Sequence, residues 1–234
     1  MSSAEGAYRN HHAVKYICNK IPLEHAGLDM PSQRTLRLLD QRKIINMSDL
    51  SFKPLKRNLW TDLEELFGSH GACGGCWCMH WKLRGKAYDE AKGYETRQMH
   101  KSFVDSGTVT GLLAYLHGDV VGWVAVEPRT AYERLAHSRA LKPVDDEPVW
   151  SITCFFVGKK FRKHGIHVEL INAAVEYVRS NGGKIVEAYP IESNKEMPAP
   201  FAFTGTAHAF VKAGFKEVAR NSPTRPTFRF VIES

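Results

Sequence analysis

Two stretches of the chain carry residue types whose spacing could do chemistry. The first is Lys159-Lys160-Phe161-Arg162-Lys163-His164-Gly165-Ile166-His167, between an apolar run and an amphipathic one. A strand that feeds a helix through such a turn makes an anion site. The helix start offers unpaired N–H groups and the positive end of its dipole. Inward-turned N–H groups form a nest for phosphate oxygens. Gly165 lets the backbone approach a ligand with no Cβ in the way, and Lys159, Lys160, Arg162 and Lys163 add charge. A pyrophosphate fits that description. A plain basic surface turn fits it too, and the turn alone does not separate the two.

The second stretch is Gly71-Ala72-Cys73-Gly74-Gly75-Cys76-Trp77-Cys78-Met79-His80-Trp81. Cys73, Cys76, Cys78 and His80 are four soft ligands at the short spacings zinc accepts. A structural zinc site draws its second pair from a distant segment, and no second Cys-x-x-Cys exists here. A redox dithiol at Cys73 and Cys76 lacks a thioredoxin-like setting. No metal is therefore expected. The favoured reading is a packed loop, with cysteine as a small buried hydrophobe and Trp77, Met79 and Trp81 as anchors. Five cysteines in all, an odd number with three crowded together, suit a reducing, cytoplasmic setting better than a disulfide framework. The eleven histidines contain no His-Glu-x-x-His pair.

Positioning these stretches requires a domain. The 234 residues are 43% hydrophobic, enough to bury a full core. A net charge of +7 favours anionic partners: phosphates, nucleotides, nucleic acid or acidic lipid. The basic residues form no single stripe and no nucleic-acid recognition motif occurs, so nucleic acid is not an expected partner. No apolar run is long enough to span a membrane, and the N-terminus lacks the apolar core of a secretory signal. Residues 1–46 read as a loosely ordered or partly helical extension, with a short helix at Gln33–Leu39 after Ser32. Residues 47–234 read as the compact domain.

Within that domain the elements alternate. A strand is predicted at Leu50–Leu55, then a helix over Asp62–Phe67 with Thr61 as cap and Glu64 completing a capping box. One helix is predicted over Ala87–Val104. The apolar runs Gly111–His117 and Val120–Val126 flank Gly118-Asp119 as a hairpin. Arg129–Lys142 is polar with room for a short helix. Val149–Val157 is the strongest strand, and Val168–Ser180 has helical spacing. Ile185–Tyr189, a helix at Thr206–Val211 and a strand at Phe228–Ile232 complete the pattern.

Phe155-Phe156-Val157 followed by Arg162-x-x-Gly165-x-His167 resembles the acetyl-CoA signature of the GNAT superfamily of N-acetyltransferases. Ala207-His208-Ala209-Phe210-Val211-Lys212-Ala213-Gly214-Phe215 resembles the family's second hallmark, and the likeness spans about Phe52 to Ile232. The resemblance implies an α/β (α+β) fold: a mixed, mostly antiparallel twisted sheet flanked by helices on both faces. It implies transfer of an acetyl (acyl) group from acetyl-CoA, as acyl-donor substrate, to a small-molecule or peptide amine acceptor by direct attack, in a monomer or homodimer. It assigns the donor to Phe155, Phe156, Val157, Arg162, Lys163, His164, Gly165, Ile166 and His167, with the Phe155 and Val157 backbone pairing with pantetheine amides. The segment after the first helix flanks the acceptor pocket in this family, so Trp77, Met79, His80 and Trp81 are expected to shape it. A subset of the family carries a similar Cys-x-x-Cys-Trp-Cys-Met-x-Trp loop.

Two positions depart from the pattern. His167 stands where Gly or Ala is usual. Phe210 stands where many members keep the Tyr that protonates the leaving thiolate, so that acid is missing or supplied elsewhere. The weak candidates for proton transfer are the carboxylate of Glu147, with Asp145, Asp146, Glu187 and Glu192 as further options, and the hydroxyls of Tyr189 and Ser193. The rival reading is a non-catalytic CoA- or nucleotide-binding module, or a basic protein that meets nucleic acid.

Overall fold

The computed structural model describes residues 46–192 and 203–233. The predicted helix at Gln33–Leu39, nearly all of the expected extension, and Ser193 lie outside the described residues.

A 3₁₀ turn leads into β1 (Leu50–Pro54), and α1 (Trp60–Phe67) follows. After the Cys-rich loop come α2 (Gly85–Ala91) and α3 (Tyr94–Asp105). The hairpin β2 (Gly111–Leu116) and β3 (Asp119–Pro128) leads through a short α4 (Glu133–Ala136) to β4 (Trp150–Val157). Then come α5 (Ile166–Ser180), β5 (Ile185–Ala188), α6 (Ala207–Lys212), β6 (Lys216–Arg220) and β7 (Pro226–Val231). The seven strands form one sheet in the order β1-β2-β3-β4-β5-β7-β6. Only β4 and β5 pair in parallel. This is the mixed, mostly antiparallel sheet that the sequence implies.

The sheet is covered on both faces, which is why β2 is apolar at every position instead of alternating. Leu112, Ala114 and Leu116 face a core shared with α5 and α6, including Leu170, Ala174, Val178 and Phe210. Leu113 and Tyr115 face a second core with Leu63 and Phe67 of α1 and Trp77 of the loop. Among the described residues no helix is long and apolar enough to cross a membrane.

Two local expectations are corrected, and one strand goes unpredicted. The long helix predicted over Ala87–Val104 is two helices, broken where Gly93 (φ 106°) donates its N–H to the Gly75 carbonyl at 3.0 Å. Thr61 is not a cap: α1 begins at Trp60, directly after a 3₁₀ turn, and the Glu64 carboxylate takes the Arg97 guanidinium (Nε–Oε1 2.7 Å) instead of completing a capping box. The edge strand β6 escapes the pattern because Lys216, Glu217, Val218 and Arg220 are exposed, so no buried face marks it.

Two features of β4 matter for the site. Its register with β3 passes from Ala125 opposite Cys154 to Val126 opposite Ile152, leaving Thr153 as an extra, bulged residue. Its pairing with β5 stops at Ile152 opposite Ala188. Beyond that point the second edge of β4 has no strand beside it among the described residues.

Candidate functional site

The open edge of β4 can be read from its hydrogen bonds. Gly158 N–H donates to Val121 O on β3 at 3.0 Å. Antiparallel ladders alternate, so the N–H groups of Phe155 and Val157 point the other way, toward the open edge. The two fare differently. Phe155 N–H donates to Phe203 O at 2.7 Å, so part of the chain already occupies that position. Val157 N–H has no partner among the described residues, and its carbonyl accepts from Arg162 Nε at 2.9 Å.

The edge runs into the basic turn. Lys159–Phe161 form a 3₁₀ turn. Lys163 (φ 67°) and Gly165 (φ 87°) are left-handed, and Gly165 is the N-cap of α5. Lys163 holds this conformation at a cost that a β-carbon normally imposes. Arg162, Lys163, His164 and Gly165 are exposed, while Ile166 is buried in the core and fixes the helix start. Among the described residues Lys159, Lys160, Arg162 and Lys163 take part in no ion pair.

His167 does not face the turn. Its ring packs on Phe155, with centroids 4.1 Å apart, and its Nε2 is buried without a partner. Burial pushes its pKa down to about 4, so it is neutral at pH 7. It therefore lines the inner wall of the β4 edge and adds no charge to the turn. Phe210 is fully buried among Phe155, Phe215 and Phe228, and its ring carries no group that could protonate a thiolate.

The sequence matches the profile of the acetyltransferase (GNAT) family over residues 76–200, more than half of the chain. The chain belongs to the GNAT acetyltransferase family. No curated protein matches it. Solved structures similar to it include the PaiA N-acetyltransferase of Thermoplasma acidophilum in complex with coenzyme A (11% identity, TM-score 0.46, covering 78% of this chain and 99% of that one). Ard1 of Thermoplasma volcanium is 14% identical, with TM-score 0.44 and coverage of 80% and 99%. A GNAT-family acetyltransferase of Listeria monocytogenes is 10% identical, with TM-score 0.47 and coverage of 78% and 95%.

The Cys-rich loop of this GNAT chain is a packed plug. Trp77 stacks on Trp60 (6.1 Å) and lies against Phe67 (5.6 Å). Trp77, Met79 and Trp81 are each at most 6% exposed. Of the four residues expected to shape the acceptor pocket, only His80 is part-exposed, edge-on to Trp81, Tyr88 and Phe203. Two of the potential metal ligands take different partners. Cys76 Sγ leans on Gly71 O (3.9 Å), while Cys78 Sγ receives Trp123 Nε1 (2.9 Å) and touches Cys154 Sγ (3.7 Å).

The proton-transfer candidates separate as well. Glu147 is exposed in the loop before β4, its N–H bonded to Asp145 Oδ1. Tyr189 is buried, and its hydroxyl is held by Glu187 (2.7 Å), Ser151 (2.9 Å) and Arg129 (2.5 Å). Burial and the adjacent Glu187 carboxylate raise its pKa far beyond the usual tyrosine range. Glu187 is itself claimed by Arg129 and Arg229. Asp145 is tied to Arg229 and Glu192 to Arg220.

Sequence reasoning missed Glu127. It lies on β3 opposite Ser151, two residues before the Thr153 bulge, and is 3% exposed. One carboxylate oxygen meets Lys82 Nζ at 2.8 Å, and the other is buried without a partner. Burial raises its pKa, with Lys82 opposing. The partners are 45 residues apart, which no local pattern reveals.

Proposed function

We propose that the protein transfers an acyl group, acetyl in the first instance, from CoA to an amine. The observation that carries this reading is the continuous cradle formed by the unpartnered Val157 N–H and the left-handed Gly165 turn at the start of α5. The residues present fit an acyl-CoA. Val157 N–H is unpartnered on the open edge of β4, the α5 N-terminus and the Arg162 and Lys163 side chains, in no ion pair among the described residues, suit a pyrophosphate, and His167 Nε2 is buried without a partner beside the Phe155 ring. Phe155 N–H joins them only when the Phe203 carbonyl releases it.

Acyl-CoA supplies an activated thioester carbonyl. The new C–N bond replaces the C–S bond, and the amine's proton ends on the thiolate or in water. The chain's part is to position the reactants, exclude water and meet developing oxyanion charge with a β4 amide, for which Val157 N–H is available. The attacking ammonium must first lose a proton, since a free alkyl amine titrates near ~10.4. Near the β4 bulge, Glu127 is the deeply buried carboxylate with an unpartnered oxygen. Burial raises its pKa, which makes it a stronger proton acceptor than an ordinary carboxylate. Phe210 supplies no acid, and the Tyr189 hydroxyl is engaged in its own network.

Acetyl-CoA is expected to raise the melting temperature, because a ligand at a hundredfold excess over its Kd adds about 2.7 kcal/mol to stability. An amine panel should then release free thiol from acetyl-CoA. Stabilisation without thiol release on any amine would favour a binding module instead. Steeply salt-dependent binding to random DNA, with no response to acetyl-CoA, would favour the nucleic-acid reading.

A further inference from the structure

The second edge of β4 is occupied along part of its length by the chain itself. Past Ile152, where β5 stops pairing, Phe155 N–H donates to Phe203 O at 2.7 Å. Two residues further on, Val157 N–H has no partner among the described residues. Alternate residues of a strand present their N–H groups to the same edge. An extended ligand that pairs with both must therefore take the place of the Phe203 carbonyl.

Phe203, Thr204 and Gly205 lie along this edge as a short strap. The half-buried Phe203 ring anchors one end. It packs where the second core meets a third cluster around Trp81 and Tyr189, edge-on to His80 at 5.5 Å. At the other end Gly205 is buried and left-handed (φ 85°). A Cβ there would stand 2.8 Å from Phe210 Cε2, 3.2 Å from Phe155 Cε2 and 3.3 Å from His167 Nε2. The strap thus lies tight against the Phe155 and His167 rings that border the donor edge. One residue later the chain is fixed again, because the Thr206 hydroxyl accepts Ala209 N–H at 3.3 Å and caps α6.

The docked strap is incompletely satisfied. Thr204 is 1% exposed, and its Oγ1 has no hydrogen-bond partner. His167 Nε2, beside Gly205, is buried without one as well. Native interiors pair nearly all such atoms, so each exception calls for an explanation. Here one backbone hydrogen bond and the packing of one half-buried ring hold the strap against two unpaired polar atoms. That balance suits a contact that is made and broken, and Gly205 supplies the backbone freedom to break it.

We propose that Phe203–Gly205 is an autoinhibitory strap: the Phe203 carbonyl stands in for a ligand carbonyl on Phe155 N–H, and an acyl donor binds by displacing it. This rests on the acyl-CoA reading of the β4 edge. The free protein is then a mixture of docked and released states, and donor affinity is lowered in proportion to the docked fraction. Weakening the anchor raises affinity without adding any contact to the donor. Loss of a residue that merely supports the site would lower it.

The test is calorimetric titration of the full chain and of Phe203→Ala with two probes, acetyl-CoA and adenosine 3′,5′-bisphosphate. The bisphosphate offers phosphates to the Gly165 turn but has no amide-bearing arm to reach Phe155. Phe203→Ala should bind acetyl-CoA at least about threefold more tightly than the parent, since the docked state no longer competes, and bind the bisphosphate with unchanged affinity. Should it melt non-cooperatively, Phe203→Leu, which keeps apolar bulk but loses the edge-on ring, carries the comparison with the same sign. Equal or weaker acetyl-CoA binding, or equal tightening of both probes, overturns the strap. Amine-dependent thiol release alongside that result leaves the acyl-transfer reading standing. Tightened acetyl-CoA binding with no thiol release on any amine does the reverse. No binding of acetyl-CoA to either protein overturns both.

Discussion

Lys82→Met is expected to destabilise the protein by about 3–5 kcal/mol at neutral pH, the usual cost of stranding one member of a buried ion pair. Lys82 and Glu127 are 8% and 4% exposed at their side chains, and their charged atoms are 2.8 Å apart. Removing the ammonium leaves a carboxylate beside the buried Tyr132, with no cation to balance it. The sign of the pH dependence follows from the direction of the Glu127 shift. Its folded-state pKa is already raised by burial, with Lys82 as the main opposing influence. A carboxyl whose folded pKa lies above its unfolded value favours folding at low pH and loses that contribution as pH rises through the folded pKa. Lys82→Met moves the folded pKa higher still. The deficit relative to the parent should therefore be small near pH ~4.5 and grow on approach to pH 7. Urea denaturation at several pH values measures this. The double variant Lys82→Met, Glu127→Gln should recover part of the loss, because neither partner is then charged. A pH-independent deficit would show that Lys82 acts through packing alone.

Gly71→Ala is the second large effect, expected at about 3–5 kcal/mol from the sum of left-handed strain and overpacking. Gly71 has φ 61°, and a Cβ there would stand 2.1 Å from Trp77 Nε1 and 2.6 Å from two further indole atoms. The indole cannot easily retreat, since Trp60 and Phe67 hold it. Nor can its backbone, because Trp77 (φ 41°) and Cys78 (φ 58°) are already left-handed. Gly74→Ala provides the control: its φ is 58° and the nearest atoms to its Cβ position are Lys92 Cε and Nζ at an ordinary 3.8 Å, so it carries left-handed strain without the clash. The two substitutions should differ by roughly 1–3 kcal/mol in urea denaturation. Equal losses would mean that the loop moves freely away from Trp77.

These two sites show where sequence reasoning reached and where it stopped. The basic turn, the central strand before it and the amphipathic helix after it were legible because each follows a local periodicity, and α5 buries Leu170, Ile171, Ala174, Val175 and Val178 of the series that the spacing marks. Thr206 was legible as the start of α6, where its hydroxyl accepts Ala209 N–H. The Cys-rich stretch was legible as packed, but not as interior: its glycines serve close contacts, Gly71 beneath an indole and Gly75 against the Gly93 backbone at 3.1 Å. That second contact also splits the helix predicted over Ala87–Val104, and nothing within that segment announces a partner far upstream. The inward turn of His167, the Phe203 carbonyl on Phe155 and the Glu127–Lys82 pair are tertiary facts of the same kind. Each joins residues whose separation hides them from any pattern with a period of two or 3.6.

An acyl-CoA held jointly by the β4 edge and the Gly165 turn should be sensitive to the shape of that turn. Gly165 has φ 87°, and the nearest atom to a β-carbon at this position would be Met47 Sδ at 3.9 Å, so a substitution there acts through the backbone conformation and the space above it. Calorimetric titration of acetyl-CoA into the parent and Gly165→Val reads this out. The predicted result is saturable one-to-one binding to the parent and at least tenfold weaker binding, about 1.4 kcal/mol, to a variant that still melts cooperatively. No binding to the parent, or equal affinity in the two proteins, would contradict an acyl-CoA site at this edge.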